Sequence, residues 1–232
     1  MKAAAEGPTM TQVAAKVHAL GMALALTVVT LGASVHAQGI PGYPDTVEGY
    51  DPREVGMLPG YCIYTQVFRD RVAAGNNRQI IDQWYAQMGP VFHTLHHYCY
   101  GLMKTNRAVL LARDETTRRF YLLDSLTEFD FVIQRAPPDF VLLPEILSKK
   151  GENLIRLGKG ALGTQELERA IELNPNYWPP YAHMSDYSKS KGEIKAARDW
   201  LEKGLATSPD ARGLTRRLTE LDAPESRDKK KR

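Results

Sequence analysis

The sequence predicts an all-α protein, and three observations carry that reading. Apolar residues recur at helical spacing through the middle of the chain, as in Ile80, Ile81, Trp84, Tyr85 and Met88, then Val91, Phe92, Leu95, Tyr98 and Leu102, then Phe120, Leu123, Leu126, Phe129 and Val132. No stretch alternates apolar and polar residues with β-branched enrichment, as a half-buried strand does. The last third of the chain repeats itself with a period of 34 residues. At 232 residues, 43% hydrophobic and 25% charged, the chain is long enough and apolar enough for one core. Its formal net charge of +3 is too small to be the footprint of a protein held on nucleic acid by phosphate contacts.

Residues 1–37 read as a secretory signal peptide. Lys2 and Lys16 precede an apolar run from Ala19 to Val35, and Val35-His36-Ala37 offers the small residues that a signal peptidase reads. The run is shorter than the roughly 20 residues that span a bilayer. An uncleaved anchor is the alternative; no cysteine stands at the cut, which argues against a lipoprotein anchor. Cleavage leaves Gln38 first and a net charge of +2. The expected location is periplasmic or secreted, and the cleaved chain is expected not to be an integral membrane protein.

Residues 38–60 hold four prolines and five glycines without a sustained apolar period, so an extended surface strap is expected. Cys62 and Cys99 follow, an even pair in an oxidising compartment with no C-x-x-C or C-x-x-C-H, and a structural disulfide is the expectation. Residues 61–105 are expected to form a helical N-terminal cap that carries the histidines and Cys99. Gly89-Pro90 and Pro137-Pro138 punctuate the helices.

The 34-residue period is visible in Gly158 and Gly192, Leu167 and Leu201, Glu168 and Glu202, and Pro175 and Pro209, with Arg169/Lys203, Ala170/Gly204 and Ile171/Leu205 as similar pairs. Residues 144–177 and 178–211 thereby resemble tetratricopeptide repeats, each a helix, a turn at glycine, a second helix and a terminating proline. The resemblance implies antiparallel helix pairs stacked as a short superhelix. Gly158 and Gly192 supply the turns, Ala170, Ala197 and Gly204 allow close helix approach, and Pro175 and Pro209 end the second helices. Two positions depart from the pattern: Gly163 stands where the family favours alanine, and Ser185 where the first unit has Gly151. Residues 106–143 resemble a degenerate unit, although Pro137 lies 38 residues before Pro175. Residues 212–222 are expected to be a capping helix, and 223–232 a basic, solvated tail.

Two sites invite a functional reading. His93, His96 and His97 stand at i, i+3 and i+4, where imidazoles on one helix could converge on a metal ion or a haem. The competing reading has Cys99 in a disulfide, one histidine packed and the others solvated, and no H-E-x-x-H supports metal; no cofactor is expected. The repeat resemblance implies a second site, a concave face lined by the first helix of each pair. Glu145, Ser148, Glu152, Ile155 and Arg156 would line it in one unit, and Pro179, Ala182, Asp186 and Lys189 in the next. These mixed charges do not form a carboxylate clamp.

No phosphate loop, G-x-S-x-G elbow or freed Cys/His/Asn pattern is present, so the expectation is not an enzyme. The expected function is an exported adaptor that binds another protein or peptide of the cell envelope. The alternative is a metal- or haem-binding envelope protein using His93, His96 or His97.

Overall fold

The computed structural model describes residues 50–222. The signal-like segment, the strap as far as residue 49 and the basic tail lie outside the described residues. Within them, nine α-helices follow one another without a strand: α1 (Pro52–Gly56), α2 (Arg78–Met88), α3 (Leu95–Asn106), α4 (Glu115–Ile133), α5 (Leu143–Arg156), α6 (Gly160–Leu173), α7 (Pro179–Ser190), α8 (Ile194–Thr207) and α9 (Arg212–Asp222). Short 3₁₀ turns at Cys62–Tyr64 and Gly89–Thr94 and a π-helical turn at Arg107–Leu111 complete the set.

Local chemistry sets the boundaries. Asp51, Asn77 and Asp114 cap α1, α2 and α4, each side chain accepting a backbone N–H in the first turn. Pro144 and Pro179 stand in the first turns of α5 and α7, where no intrahelical N–H bond is lost. Gly158 and Gly192, at φ of 76° and 79°, take the left-handed conformation that reverses the chain after α5 and α7. Helices α6 and α8 stop at Leu173 and Thr207, two residues before Pro175 and Pro209.

Within the expected strap, residues 52–56 form the helical turn α1. Asp51 caps this turn and Pro52 opens it. Its Glu54 is buried and accepts two hydrogen bonds from the Arg107 guanidinium, Nε at 2.7 Å and Nη2 at 2.8 Å. Composition alone, rich in proline and glycine, does not register this long-range anchor.

Short connectors make the helices antiparallel partners, α3 with α4, α5 with α6 and α7 with α8, and α9 lies across the last pair. The first helices α3, α5, α7 and α9 neighbour one another in turn. Helices α6 and α8 each have 14 residues and begin 34 residues apart, as the period requires. The histidine-bearing α3 is thus the first helix of the first pair, whereas a boundary at 105/106 parts it from α4. Pro137 falls out of register because it lies six residues before the start of α5, against four from Pro175 to the start of α7, and because α5 is two residues longer than α7.

The disulfide Cys62–Cys99 joins the N-terminal segment to α3, with Cα atoms 5.8 Å apart and both cysteines fully buried. Around it pack Phe68, Phe92, Leu95, Tyr98, Phe129 and Leu147 in one apolar cluster. A second cluster, Ile171, Tyr181, Ala182, Leu201, Ala211 and Leu214, joins α7 and α8 to α9. Between them, Gly151 and Gly163 bring α5 against α6. A Cβ on Gly163 would lie 2.7 Å from the Gly151 carbonyl oxygen and 2.6 Å from Ile155 Cγ1, so alanine does not fit where the family favours it.

Two outcomes follow. Gly163→Ala lowers stability by about 1 to 3 kcal/mol, the usual cost of overpacking, read from the denaturant midpoint. Replacing Cys62 and Cys99 by serine removes a cross-link spanning 37 residues and lowers stability by about 3 to 4 kcal/mol, with hydrogen exchange rising first in residues 50–94.

Candidate functional site

The face built from the first helices carries most of the charged residues that the sequence singles out. Glu145, in the first turn of α5, accepts a hydrogen bond from Tyr98 Oη of α3 at 2.7 Å. Glu152, two turns on, accepts from Arg156 Nη2 at 2.6 Å and from Lys149 Nζ at 3.3 Å, and lies 3.5 Å from His183 Nε2 of α7. Asp186 of α7 is gripped by Arg217 of α9 through Nε and Nη2 at 3.0–3.1 Å. Each first helix is therefore tied to the next by a polar contact on this face: Tyr98 to Glu145, Glu152 to His183, Asp186 to Arg217.

Electrostatics differ along this ladder. Burial alone would raise the Glu152 carboxyl, yet His183, Lys149 and Arg156 outweigh it and hold the group down to about 2. Burial pushes the His183 imidazole below its ordinary value, and the pull of Glu152 in the other direction is smaller. At neutral pH Glu152 is thus ionised. Tyr61, Tyr98 and Tyr177 are all raised by burial and by the nearby Glu145 carboxylate.

Of the nine positions assigned to the concave face, Arg156, Asp186 and Lys189 are exposed, and Glu145, Glu152, Ile155 and Pro179 are half-buried. Ser148 and Ala182 must be corrected. Each is 1% exposed, and both are small residues turned to the interior, where Ala182 belongs to the cluster beneath α9. Sequence reasoning missed Tyr98, His183 and Arg217. A signal for two of them was present: Lys149, His183 and Arg217 are spaced by 34, as are Glu152, Asp186 and Glu220. The link joins the acid of one unit to the base of the next.

The three N-terminal histidines are not brought to one point. His93 is exposed on the 3₁₀ turn, its ring 5.1 Å from that of Tyr85. His96 Nδ1 lies 3.1 Å from the His93 carbonyl oxygen. His97 Nδ1 meets Glu128 Oε2 at 2.6 Å, its ring stacked 3.7 Å from Phe131, over which Arg135 also lies. Among the described residues no group of three or more His, Cys, Asp or Glu side chains is placed to hold a metal ion. The Glu128 carboxyl also accepts from Lys104 at 2.6 Å, and these bonds outweigh burial to keep it below its ordinary value.

No family model matches the chain. The chain is similar to human protein O-mannosyl-transferase TMTC1, 27% identical over 103 residues, which is 44% of this chain and 12% of that protein. The chain thus matches about an eighth of that relative's length.

Acid should weaken the ladder. The Glu152 carboxyl is depressed from 4.5 to about 2, so the stability it contributes is complete above pH 4.5 and is lost as pH falls from there towards 2. The lowered His183 acts in the same sense, beginning below its ordinary 6.5, because the unfolded chain takes up that proton first. Glu152→Gln lowers stability at pH 7 by up to about 3 kcal/mol and flattens the profile below pH 4.5, measured by denaturant unfolding across pH.

Proposed function

We propose that the chain is an exported, tetratricopeptide-like adaptor of the cell envelope that holds another protein or peptide on the face shared by α3, α5, α7 and α9, and that it performs no covalent chemistry. The observation that carries this reading is the stacking of helix pairs with their first helices side by side, which offers a continuous surface built from several units. Arg156 and Lys189 stand exposed near the ends of α5 and α7 on that surface, available to a partner. The ladder beneath them fixes the spacing between helices, so an extended ligand would meet side chains at regular intervals.

Export is supported by a different feature. Cys62 and Cys99 form a fully buried disulfide, and disulfides of this kind persist in oxidising compartments. No helix among the described residues is long and apolar enough to cross a membrane. The partial similarity to a longer protein and the repeat resemblance agree with a docking role, which is how stacked helix pairs are commonly used.

Glu152 and Asp186 also hold helices together, so the test uses Arg156 and Lys189. A photo-crosslinking residue at either position, in cells making the full chain, captures a discrete protein adduct. The same residue at Glu168 of α6 or Glu202 of α8, both exposed on the second helices, does not. Capture from the second helices alone, or equally from both sets, would overturn the assignment of this face.

A further inference from the structure

The three turns that lead from first to second helices, α3 to α4, α5 to α6 and α7 to α8, lie along one edge of the stack, because each pair is antiparallel and successive first helices are parallel. Every one of these turns raises an apolar side chain into solvent. In the first, the π-helical turn closes with the Ala112 N–H on the Arg107 carbonyl at 2.8 Å; Arg107 points inward to Glu54 while Leu110 is 60% exposed, and Phe120, early in α4, is 54% exposed. In the second, Leu162 is 52% exposed. In the third, Ile194 is 46% exposed.

Basic residues accompany them. Arg113 and Arg119 flank the first turn, Lys159 precedes Leu162, and Lys191 and Lys195 bracket Ile194, all exposed. Leaving aside Arg107, which Glu54 neutralises, and Arg156 and Lys189, which belong to the face of the first helices, residues 107–119, 157–165 and 190–195 hold six Lys and Arg against three Asp and Glu, a net +3, equal to that of the whole chain. The connectors at the opposite edge, 133–145, 172–179 and 206–212, hold two basic residues against four acidic ones, a net −2. That edge also exposes apolar groups, Val141 at 63% and Leu173 at 43%, so what distinguishes the first edge is apolar exposure combined with positive charge. Pairing does not cancel the charge: Lys195 reaches Asp199 at 2.8 Å, but both side chains are more than half exposed and solvent screens the pair.

We propose that this edge docks on an anionic phospholipid bilayer. Its apolar side chains stand singly at the second and third turns and as a run, Val109 to Leu111, at the first, which suits a flat, deformable surface that each can enter separately. The lysines and arginines beside them reach headgroup phosphates while their stems lie along the interface. The edge is distinct from the face formed by the first helices, so its occupancy stands or falls separately from the partner reading above.

The experiment uses the full chain carrying Leu162→Trp or, as a control on the other edge, Val141→Trp. Each is read as the change in tryptophan emission over the unsubstituted chain on adding vesicles with brominated acyl chains. With phosphatidylglycerol in the vesicles, the added emission of Leu162→Trp is quenched and that of Val141→Trp is not. Phosphatidylcholine alone, or raised salt, abolishes the quenching. Adding Lys159→Gln, Lys191→Gln and Lys195→Gln to Leu162→Trp raises the lipid needed by on the order of 100-fold. These exposed substitutions leave the far-ultraviolet circular dichroism unchanged. Because the probe reports its own depth, binding through the N-terminal apolar segment does not mimic the result. The proposal fails if Leu162→Trp stays unquenched whether or not the chain binds vesicles, if the two edges are quenched alike, or if the Leu162→Trp signal shifts with protein concentration without lipid, the mark of a second copy on this edge.

Discussion

Helices stacked in pairs leave apolar surface bare at both ends of the stack, and the chain must cover each end for the interior to stay dry. At the far end α9 does this, burying Leu214 against the pair α7/α8 with Trp178, Trp200 and Leu218 packed around it. At the near end the cover is residues 50–94, mostly short turns with too few backbone bonds of their own to hold a shape. They are held instead by long-range ties to α3 and its extension: the Cys62–Cys99 disulfide, the buried Glu54–Arg107 pair, and a hydrogen bond from Tyr50 Oη to Tyr100 Oη at 2.6 Å. A buried ion pair recovers little net energy after desolvation, so its main effect is to fix where α1 lies.

The same economy governs the joints inside the stack. Around α4 and α5, where the repeat departs from its period, a buried amide stands at the junction: Asn153 of α5 donates from Nδ2 to Thr105 Oγ1 of α3 at 2.6 Å and to Ser125 Oγ of α4 at 2.8 Å. Both bonds form in one arrangement of the three helices only, so they favour that docking even though Asn153 Oδ1 has no hydrogen-bond partner there. On the neighbouring side, Lys150 joins Asp130 of α4 and Glu166 of α6, each at 2.7 Å. Along the first helices, the acid-to-base ladder performs the equivalent task once per unit.

These assignments divide the surface by role. Carboxylates and bases of the first helices are engaged with one another and set helix spacing, while Lys189 and Arg156, the latter bonded to Glu152, are exposed charges of the same face. The turns at one edge combine solvated apolar groups with positive charge. Near the start of α3, His97 is held between Glu128 and Phe131.

Much of this architecture was legible in the sequence because it depends on local rules. Helical periodicity, the glycines at 158 and 192, and the prolines at 175 and 209 each act within a turn or two of the chain, so their spacing alone determined the class and the paired arrangement of helices. The cysteine pairing followed from there being only two. What only the tertiary structure decided was which side chains meet across helices. Glu152 and Asp186 read as free charges on a helix until α7 and α9 bring His183 and Arg217 to them, and Ser148 and Ala182 read as surface until the neighbouring helix closes over them. The segment 50–60 reads as a strap until Arg107, some fifty residues away, is placed beneath Glu54. Spacing along one helix fixes its faces, but which face is buried depends on where the other helices dock, and that is decided by packing of the whole chain.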